Sequence, residues 1–460
     1  MKHYILICLC VFGAHSIFGQ HTPVPEKVRP IVDTSIAAIV AKVSADSIEH
    51  YIRSLVAFET RHSLSDTLSQ NRGIGAARRW VAAKFRSFAT LHNANMNVVL
   101  DPFEARPGPR TPRVPAPVVM KNVVATLHGT DPSDNRVMLV TGHLDSRNSD
   151  VMDAQGYAPG ANDDASGVAV VLELARVFSA QPPPCTIIFM AVQGEEQGLL
   201  GARHMAGKMK HEEANLIAVF NNDIVGNTLA SETGQRNDRT VRVFSEMIPA
   251  FETDAQTAAR QALKSENDSP SRQLARYIKE TAEAYLDNFT VTLNARPDRF
   301  LRGGDHTPFS QLGFTAIRMT EFHENFLHQH QNVKKEAGLQ YGDLPDFVDF
   351  PYAANVTRVN LAAMASLAKA PGAPEAVEMK ITLGNTTHLT WSAPSSGPAP
   401  KGYYVLMRET YEPFWTQRIF ITGTSAVVPY SKDNYFFAIQ AVGEQGHTSL
   451  PVMPVPVRHN

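Results

Sequence analysis

Val137-Met138-Leu139-Val140-Thr141-Gly142-His143-Leu144-Asp145-Ser146 is the stretch on which the fold turns. Its first half, Val137–Thr141, is apolar and β-branched and reads as a short strand. Its second half changes at once to residues that bind metals. Working outward, Ala165–Phe178 carries Val168, Val171, Leu172, Ala175 and Phe178 on one helical stripe. Thr186–Val192 is a second apolar strand, Leu216–Phe220 a third and Thr315–Met319 a later one. Strands alternating with helices predict an α/β domain around a largely parallel or mixed sheet.

Upstream, Ser44–Leu55 reads as a helix with Ser44 as N-cap, and Arg72–Phe88 as a second. Pro102–Pro117 is dense in proline and is expected to be irregular. Tyr352–Lys369 is expected to close the domain, ended by Pro371–Gly372. From about residue 374 the helical pattern stops. Glu378–Leu383, His388–Trp391, Gly402–Glu409, Arg418–Ile421 and Tyr435–Val442 are short β-type runs separated by turns, which suits a small antiparallel sandwich. The expected organisation is a leader at 21–40, a catalytic domain at 41–370, a linker at Lys369–Pro374 and a sandwich at 374–460.

Composition excludes some classes. Lys+Arg is 43 and Asp+Glu 45, a net charge of -2, so no basic excess exists to hold nucleic acid. A hydrophobic content of 43% with 19% charged residues is that of a folded globular chain. Residues 1–20 read as a secretory signal peptide. Lys2 is the basic end, Tyr4–Phe12 is an apolar stretch too short to span a bilayer, and Gly19–Gln20 is the cleavage point. No later run suits a membrane span, and the expected location is secreted or periplasmic. Removal of the signal takes Cys8 and Cys10 with it, leaving Cys185 as a small core residue with no internal disulfide partner. Asn267, Asn288, Asn355 and Asn385 start glycosylation sequons, which matter only in a eukaryotic source.

Five segments concentrate the chemistry. In the first, His143 can ligate a metal while Asp145, two residues on, accepts the proton of the other ring nitrogen. The second, Pro159-Gly160-Ala161-Asn162-Asp163-Asp164-Ala165-Ser166-Gly167, precedes a helix; it holds more acidic and small residues than an N-cap requires. The third, Gly194-Glu195-Glu196-Gln197-Gly198, pairs adjacent glutamates whose repulsion falls if one binds a cation and the other works as a base. The fourth is Asn221-Asn222-Asp223, and the fifth runs from Glu321 to His330. Each has a bland alternative: a structural His–Asp pair, a helix cap, a solvated turn. Four of the five, however, follow the C-terminal ends of apolar strands, where the ligand crevice of an open α/β sheet lies. Independent surface loops have no reason to gather there.

Together these segments resemble the co-catalytic dizinc exopeptidases, the family of bacterial leucyl aminopeptidases and glutamate carboxypeptidase, over roughly residues 120–370. The resemblance implies a three-layer α/β fold with a mixed central sheet and two Zn2+ ions. It implies that His143 and Asp223 are terminal ligands of one zinc, Asp163 the bridge, Glu196 a ligand of the second zinc, Glu195 the general base and Asp145 the partner of His143. The last ligand is expected at His328, with His330 within reach and His323 more remote; Leu327 stands where the family often has Tyr. The resemblance also marks Gly304–Phe309 as a loop beside the site, with His306 either structural or substrate-facing. Nitrogen and oxygen ligands without thiolate suit zinc. Leu389-Thr390-Trp391, Gly402-Tyr403-Tyr404-Val405 and Tyr435–Val442 resemble a fibronectin type III domain, which implies docking to a surface, a polymer or the catalytic domain itself.

The leading expectation is a secreted dizinc aminopeptidase acting on peptides. A carboxypeptidase or other amidase on the same scaffold would use an arginine cluster, for which Arg299, Arg302 and Arg318 are available. A single-zinc cyclotransferase resembling glutaminyl cyclase, or a binding protein on a dead scaffold, would have shed ligands or base, and none is lost here.

Overall fold

The computed structural model describes residues 25–458; the expected signal segment lies outside them. After a short strand β1 (Glu26–Lys27), the chain builds an eight-stranded sheet from β2 (Met96–Ala105), β3 (Val118–Leu127), β4 (Val137–His143), β5 (Thr186–Val192), β6 (Leu216–Asn222), β7 (Thr240–Phe244), β8 (Thr290–Asn294) and β9 (Ala316–Glu321). The order across the sheet is β2-β3-β5-β4-β6-β9-β7-β8. The four central strands β5, β4, β6 and β9 run parallel, whereas β3 is antiparallel to β5 and β7 to β9.

Burial explains the uninterrupted apolar runs. Met138 and Val140 of β4 face one core with Ile187, Phe189 and Ala191 of β5. The alternate residues, Leu139 and then Ile188, Met190 and Val192, face the other. Both sides of the central strands are therefore covered, as parallel sheets require. The larger layer holds α1 (Thr34–Val40), α2 (Ala45–Val56), α3 (Gly73–His92), α4 (Ala165–Ala180), α7 (Pro270–Ala282) and α9 (Phe350–Lys369). On the opposite face lie α5 (Leu200–His211) and α8 (Thr307–Gln311), while α6 (Asp254–Leu263) packs at the C-terminal sheets. Among the described residues, no helix is long and apolar enough to cross a membrane.

Two expectations change. Pro102 is not in an irregular stretch: it sits in β2, opposite Lys121. β2 is an outermost strand, the place in a sheet where proline is tolerated. The segment expected as a leader is also structured. Ile36, Ile39 and Val40 are buried in the main core, and β1 pairs with a C-terminal strand at Glu26↔Arg418.

Past a β-hairpin, β10 (Lys334–Glu336) with β11 (Leu339–Tyr341), and past α9, the chain becomes all-β. It forms β12 (Glu375–Lys380), β13 (Thr387–Ser392), β14 (Gly402–Glu409), β15 (Gln417–Ile421), β16 (Ser425–Val428), β17 (Tyr435–Val442) and β18 (Val455–Val457). These make two four-stranded sheets, β16-β13-β12-β18 and β1-β15-β14-β17, enclosing a core that includes Trp391, Tyr403, Val405 and Ile439.

Buried polar contacts join this region to the rest. Asp268, just before α7, accepts from Arg276 at 2.7 Å and from Arg408 of β14 at 2.6 Å. Trp415 Nε1 donates to Gln273 Oε1 at 2.9 Å. Asp268→Asn removes the charge shared by two buried guanidiniums. Loss of one partner of a buried pair should lower stability by about 3–5 kcal/mol. Urea unfolding of the full chain measures this; a loss under about 1 kcal/mol would show that the contact is not an anchor.

Candidate metal centre and cleft

The parallel strands bring the motifs level. His143 ends β4 directly beside Val192, the last residue of β5. Asn222 ends β6 beside Met319 of β9. The residues that follow these ends therefore converge on one edge of the sheet.

One carboxylate sets the local geometry. Asp164 accepts from the backbone N–H of His143 at 2.8 Å, of Gly167 at 2.9 Å and of Ile224 at 3.1 Å. It thus caps α4 and ties that helix to the ends of β4 and β6. Gly167 permits the approach, since a Cβ there would lie 2.2 Å from the Asn222 carbonyl oxygen. The loop before it is held from two sides. Buried Arg61 donates to the carbonyls of Leu144 (2.8 Å), Pro159 (2.6 Å) and Gly160 (2.8 Å). Asp343 accepts from the amides of Asn162 (2.8 Å) and Asp163 (2.7 Å), and burial pushes its carboxyl up to about 7. Neither Arg61 nor Asp343 carries a motif in sequence; only long-range folding brings them here.

Asp163, so fixed, divides its two oxygens. Oδ1 lies 3.0 Å from His143 Nε2, and Oδ2 lies 2.9 Å from His330 Nε2. His143 is also 3.8 Å from Asp223 Oδ1, and His330 is 2.9 Å from Glu196 Oε1. Two three-residue clusters result, His143–Asp163–Asp223 and Asp163–Glu196–His330, in each of which one ligand atom per residue lies within 4.8 Å of the others.

His328 is not in either cluster, which corrects the expected last ligand. Its ring stacks on Phe347 with centroids 3.7 Å apart, and burial lowers its pKa to about 4. The Asn325 carbonyl accepts from both His328 and Gln329 amides, and His330 then takes a left-handed backbone (φ 55°). That turn aims His328 away and His330 inward, where Gln329 also donates to Asp163 at 3.3 Å. Counting residues from Glu321 cannot reveal such a reversal. His323 is likewise outside the clusters, edge-on to Phe322, and His306 is buried against the Pro297 carbonyl at 2.8 Å.

Asp145 also acts differently from expectation. The proton of His143 Nδ1 goes to the Asp145 backbone carbonyl at 3.0 Å, while the carboxylate is 3.8 Å away. A carbonyl can only accept, so Nδ1 carries the hydrogen and Nε2 offers its lone pair to the cluster. The carboxylate instead accepts from the amides of Gly194 (3.0 Å), Glu195 (3.3 Å) and Glu196 (3.1 Å), and from Ser63 Oγ (3.1 Å). It pins the Glu195–Glu196 turn to the end of β4.

The electrostatics are those of crowded, buried acids. Burial pushes the Glu195 carboxyl well above the usual range, aided by Glu196 and Asp223 and opposed by His143. Burial disfavours the charged form of His330, yet Glu196 and Asp163 raise it to about 10. Asp223 also resists ionisation through burial, but Arg318, 2.8 Å away, holds it down at about 2. Arg318 is spent on Asp223 and on Asp298 at 3.2 Å. An imidazole–carboxylate donor set with one carboxylate shared between clusters fits two zinc ions in an oxygen- and nitrogen-rich site. The clusters and Glu195 open on a cleft of about 410 Å³.

Peptidase family M28 matches residues 122–337. A probable zinc metalloprotease of Leptosphaeria maculans is 45% identical over 431 residues, covering 93% of this chain and 99% of the relative. Another, from Pyrenophora teres f. teres, is 44% identical and covers 92% of this chain and 87% of its own length. Among solved structures, the Legionella pneumophila LapA aminopeptidase aligns with a TM-score of 0.50 at 18% identity, over 74% of this chain and 76% of that one. LapB of the same organism aligns with a TM-score of 0.51 at 16% identity, over 74% and 77%. At such low identity these two speak for the fold alone. Identity of 45% across nearly the full length settles the family: this chain belongs to peptidase family M28 and is a zinc metalloprotease.

Proposed function

We propose that the protein is a secreted dizinc aminopeptidase that removes N-terminal residues from peptides. The observation that carries this reading is the division of Asp163, whose two oxygens each face a separate imidazole–carboxylate cluster. His143, Asp163 and Asp223 would hold one zinc, and Asp163, Glu196 and His330 the other. Bound zinc supplies Lewis acidity and lowers the pKa of water. Glu195, half-buried at the cleft beside both clusters, takes a proton from the attacking water and returns it to the departing amine. Asp145 is a positioning residue, since its carboxylate fixes the backbone on which Glu195 and Glu196 stand. Arg318 positions Asp223 in the same way. Secretion is supported by the basic and apolar pattern of residues 1–20. For the C-terminal region we infer a fibronectin type III-like module that docks the enzyme to a surface or protein, supported by its two-sheet arrangement around Trp391.

Three measurements test this reading. His330→Ala should leave close to one zinc per chain, whereas His328→Ala should keep two; metal analysis with the reverse pattern would reinstate His328. Glu195→Gln should retain zinc and lose about 10²–10⁴ in kcat, the usual worth of a positioned proton-transfer group. Turnover within a few-fold of the wild type would remove Glu195 as the base. Aminoacyl anilides with a free amine should be cleaved in a chelator-sensitive way, and their N-acylated forms should not. Preference for the blocked substrates would point to a different exopeptidase or amidase.

A further inference from the structure

A second cavity, of about 490 Å³, lies away from the metal clusters. Leu216 and Ile217, at the start of β6, reach its wall, whereas Asp223 follows the other end of that strand. At about 3.3 Å per residue, roughly 20 Å of strand separates the two sites. The cavity sits where the catalytic layer meets the all-β region. Phe314 and α6 bound it on one side; Leu450, Val452 and Pro371 bound it on the other. Its volume is that of a small-molecule site.

Helix α6 roofs this space without filling it. None of its residues is buried, although Ala259 and Leu263 line the cavity. The helix is held by its own ends instead. Thr253 and Gln256 form a capping box, and Arg260 clamps Glu252 at 2.9 Å.

The lining is mainly apolar, and its charges are matched with one exception. Arg260 is held by Glu252, Arg136 by Asp134 at 2.7 Å, and Asp268 by Arg276 and Arg408. Glu246 differs. It lines the cavity, is only 8% exposed, and among the described residues has no basic side chain within ion-pair distance. Its carboxylate accepts from uncharged groups: Ser271 Oγ at 3.5 Å, Ser310 and the Ala250 amide. Burial pushes the carboxyl up, so its ionised form is poorly compensated where it stands. A primary ammonium on an apolar body answers both features. The cation balances Glu246, and the body covers the apolar wall of Ala259, Leu263 and Phe314.

We propose that this cavity binds a small apolar molecule carrying one primary ammonium, with Glu246 as its anchor. Such a ligand touches both the catalytic layer and the C-terminal segment, so its binding tightens the joint between them. Two sources offer that chemistry: a simple amine, or a free apolar amino acid of the kind the proposed reaction releases. The site itself does not depend on the metal reading.

Calorimetric titration of the zinc-loaded full chain tests the site. 2-Phenylethylamine should bind about tenfold or more tightly than its neutral isostere 2-phenylethanol, and the anion 3-phenylpropionate no better than the alcohol. L-Phenylalanine separates the sources. Affinity within about threefold of the amine's assigns the free amino acid, and weaker binding assigns a simple amine. Glu246→Gln should reduce the amine's advantage over the alcohol to about twofold or less. Ala259→Trp, which fills the cavity from α6, should abolish amine binding while zinc content and turnover stay as in the wild type. Saturating amine should raise the Tm of the wild type but not of Ala259→Trp. Amine affinity unchanged in Ala259→Trp would put the ligand elsewhere, the catalytic cleft included, and overturn the site. Equal affinity for amine and alcohol would overturn it too. Neither result bears on the aminopeptidase reading, which is decided by Glu195→Gln and the anilides.

Discussion

The site exists because one carboxylate satisfies three backbone amides at once. Asp164 takes the N–H groups of His143, Gly167 and Ile224, which belong to the end of β4, the first turn of α4 and the residue pair after β6. Each of those amides lies at a terminus, where no helix or sheet partner is at hand. Satisfying them with a neighbour's side chain, rather than water, locks the strand ends and the helix start together. The adjacent Asp163 is then carried to the point where His143 and His330 approach from different elements. That lock, together with Asp343 on the Asp163 amide, fixes the place of the shared carboxylate.

The same economy recurs around it. Asp145 collects the amides of the Glu195–Glu196 turn, and Asp343 collects those of Asn162 and Asp163. Arg61 serves the opposite purpose, supplying donors to three carbonyls of the loop that leads to Asp163. Buried charge is costly unless paired, and these groups are paired with backbone dipoles. The metal-facing acids are different. Asp163, Glu195, Glu196 and Asp223 crowd together: His143 and His330 pair with Asp163, His330 with Glu196 and Arg318 with Asp223, while burial and its acidic neighbours push the Glu195 carboxyl up. Carboxylates that hold the architecture are satisfied by backbone amides; those proposed to hold zinc face imidazoles and Arg318 instead.

How far the sequence foretold this depends on which interaction decides each feature. The central strands were legible because burial on both faces leaves an unbroken apolar run, as in Thr186–Val192. The strands β7 and β8 were not, being five residues each at the margin of the sheet; in β7 the run is broken by Arg242, which reaches out to Glu324. Metal-type residues at strand ends were legible, since they follow from strand direction. The choice between His328 and His330 was not, because a left-handed residue reverses the chain over a single step. Spacing placed Asp145 near His143 but could not say which of its oxygens takes the proton. The helix at Thr34–Val40 was within reach: Ile36, Ile39 and Val40 recur at helical spacing and are all buried.

Roles separate along the fold as a consequence. The parallel strand ends carry the proposed ligands, which ties the site to the buried centre of the sheet. Loops supply the cleft walls, among them the segment from Arg299 to Gly303, which is held by the Arg299–Glu324 pair and by Arg318 donating to the Gly303 carbonyl. The C-terminal sheets contribute no residue to the cleft lining. They are nevertheless bolted to α7 through Asp268 and to the chain start through β1. A module that only tethered the enzyme would not need buried ion pairs with the catalytic layer. Its attachment therefore belongs to the stability of the whole chain, whatever its outer surface binds.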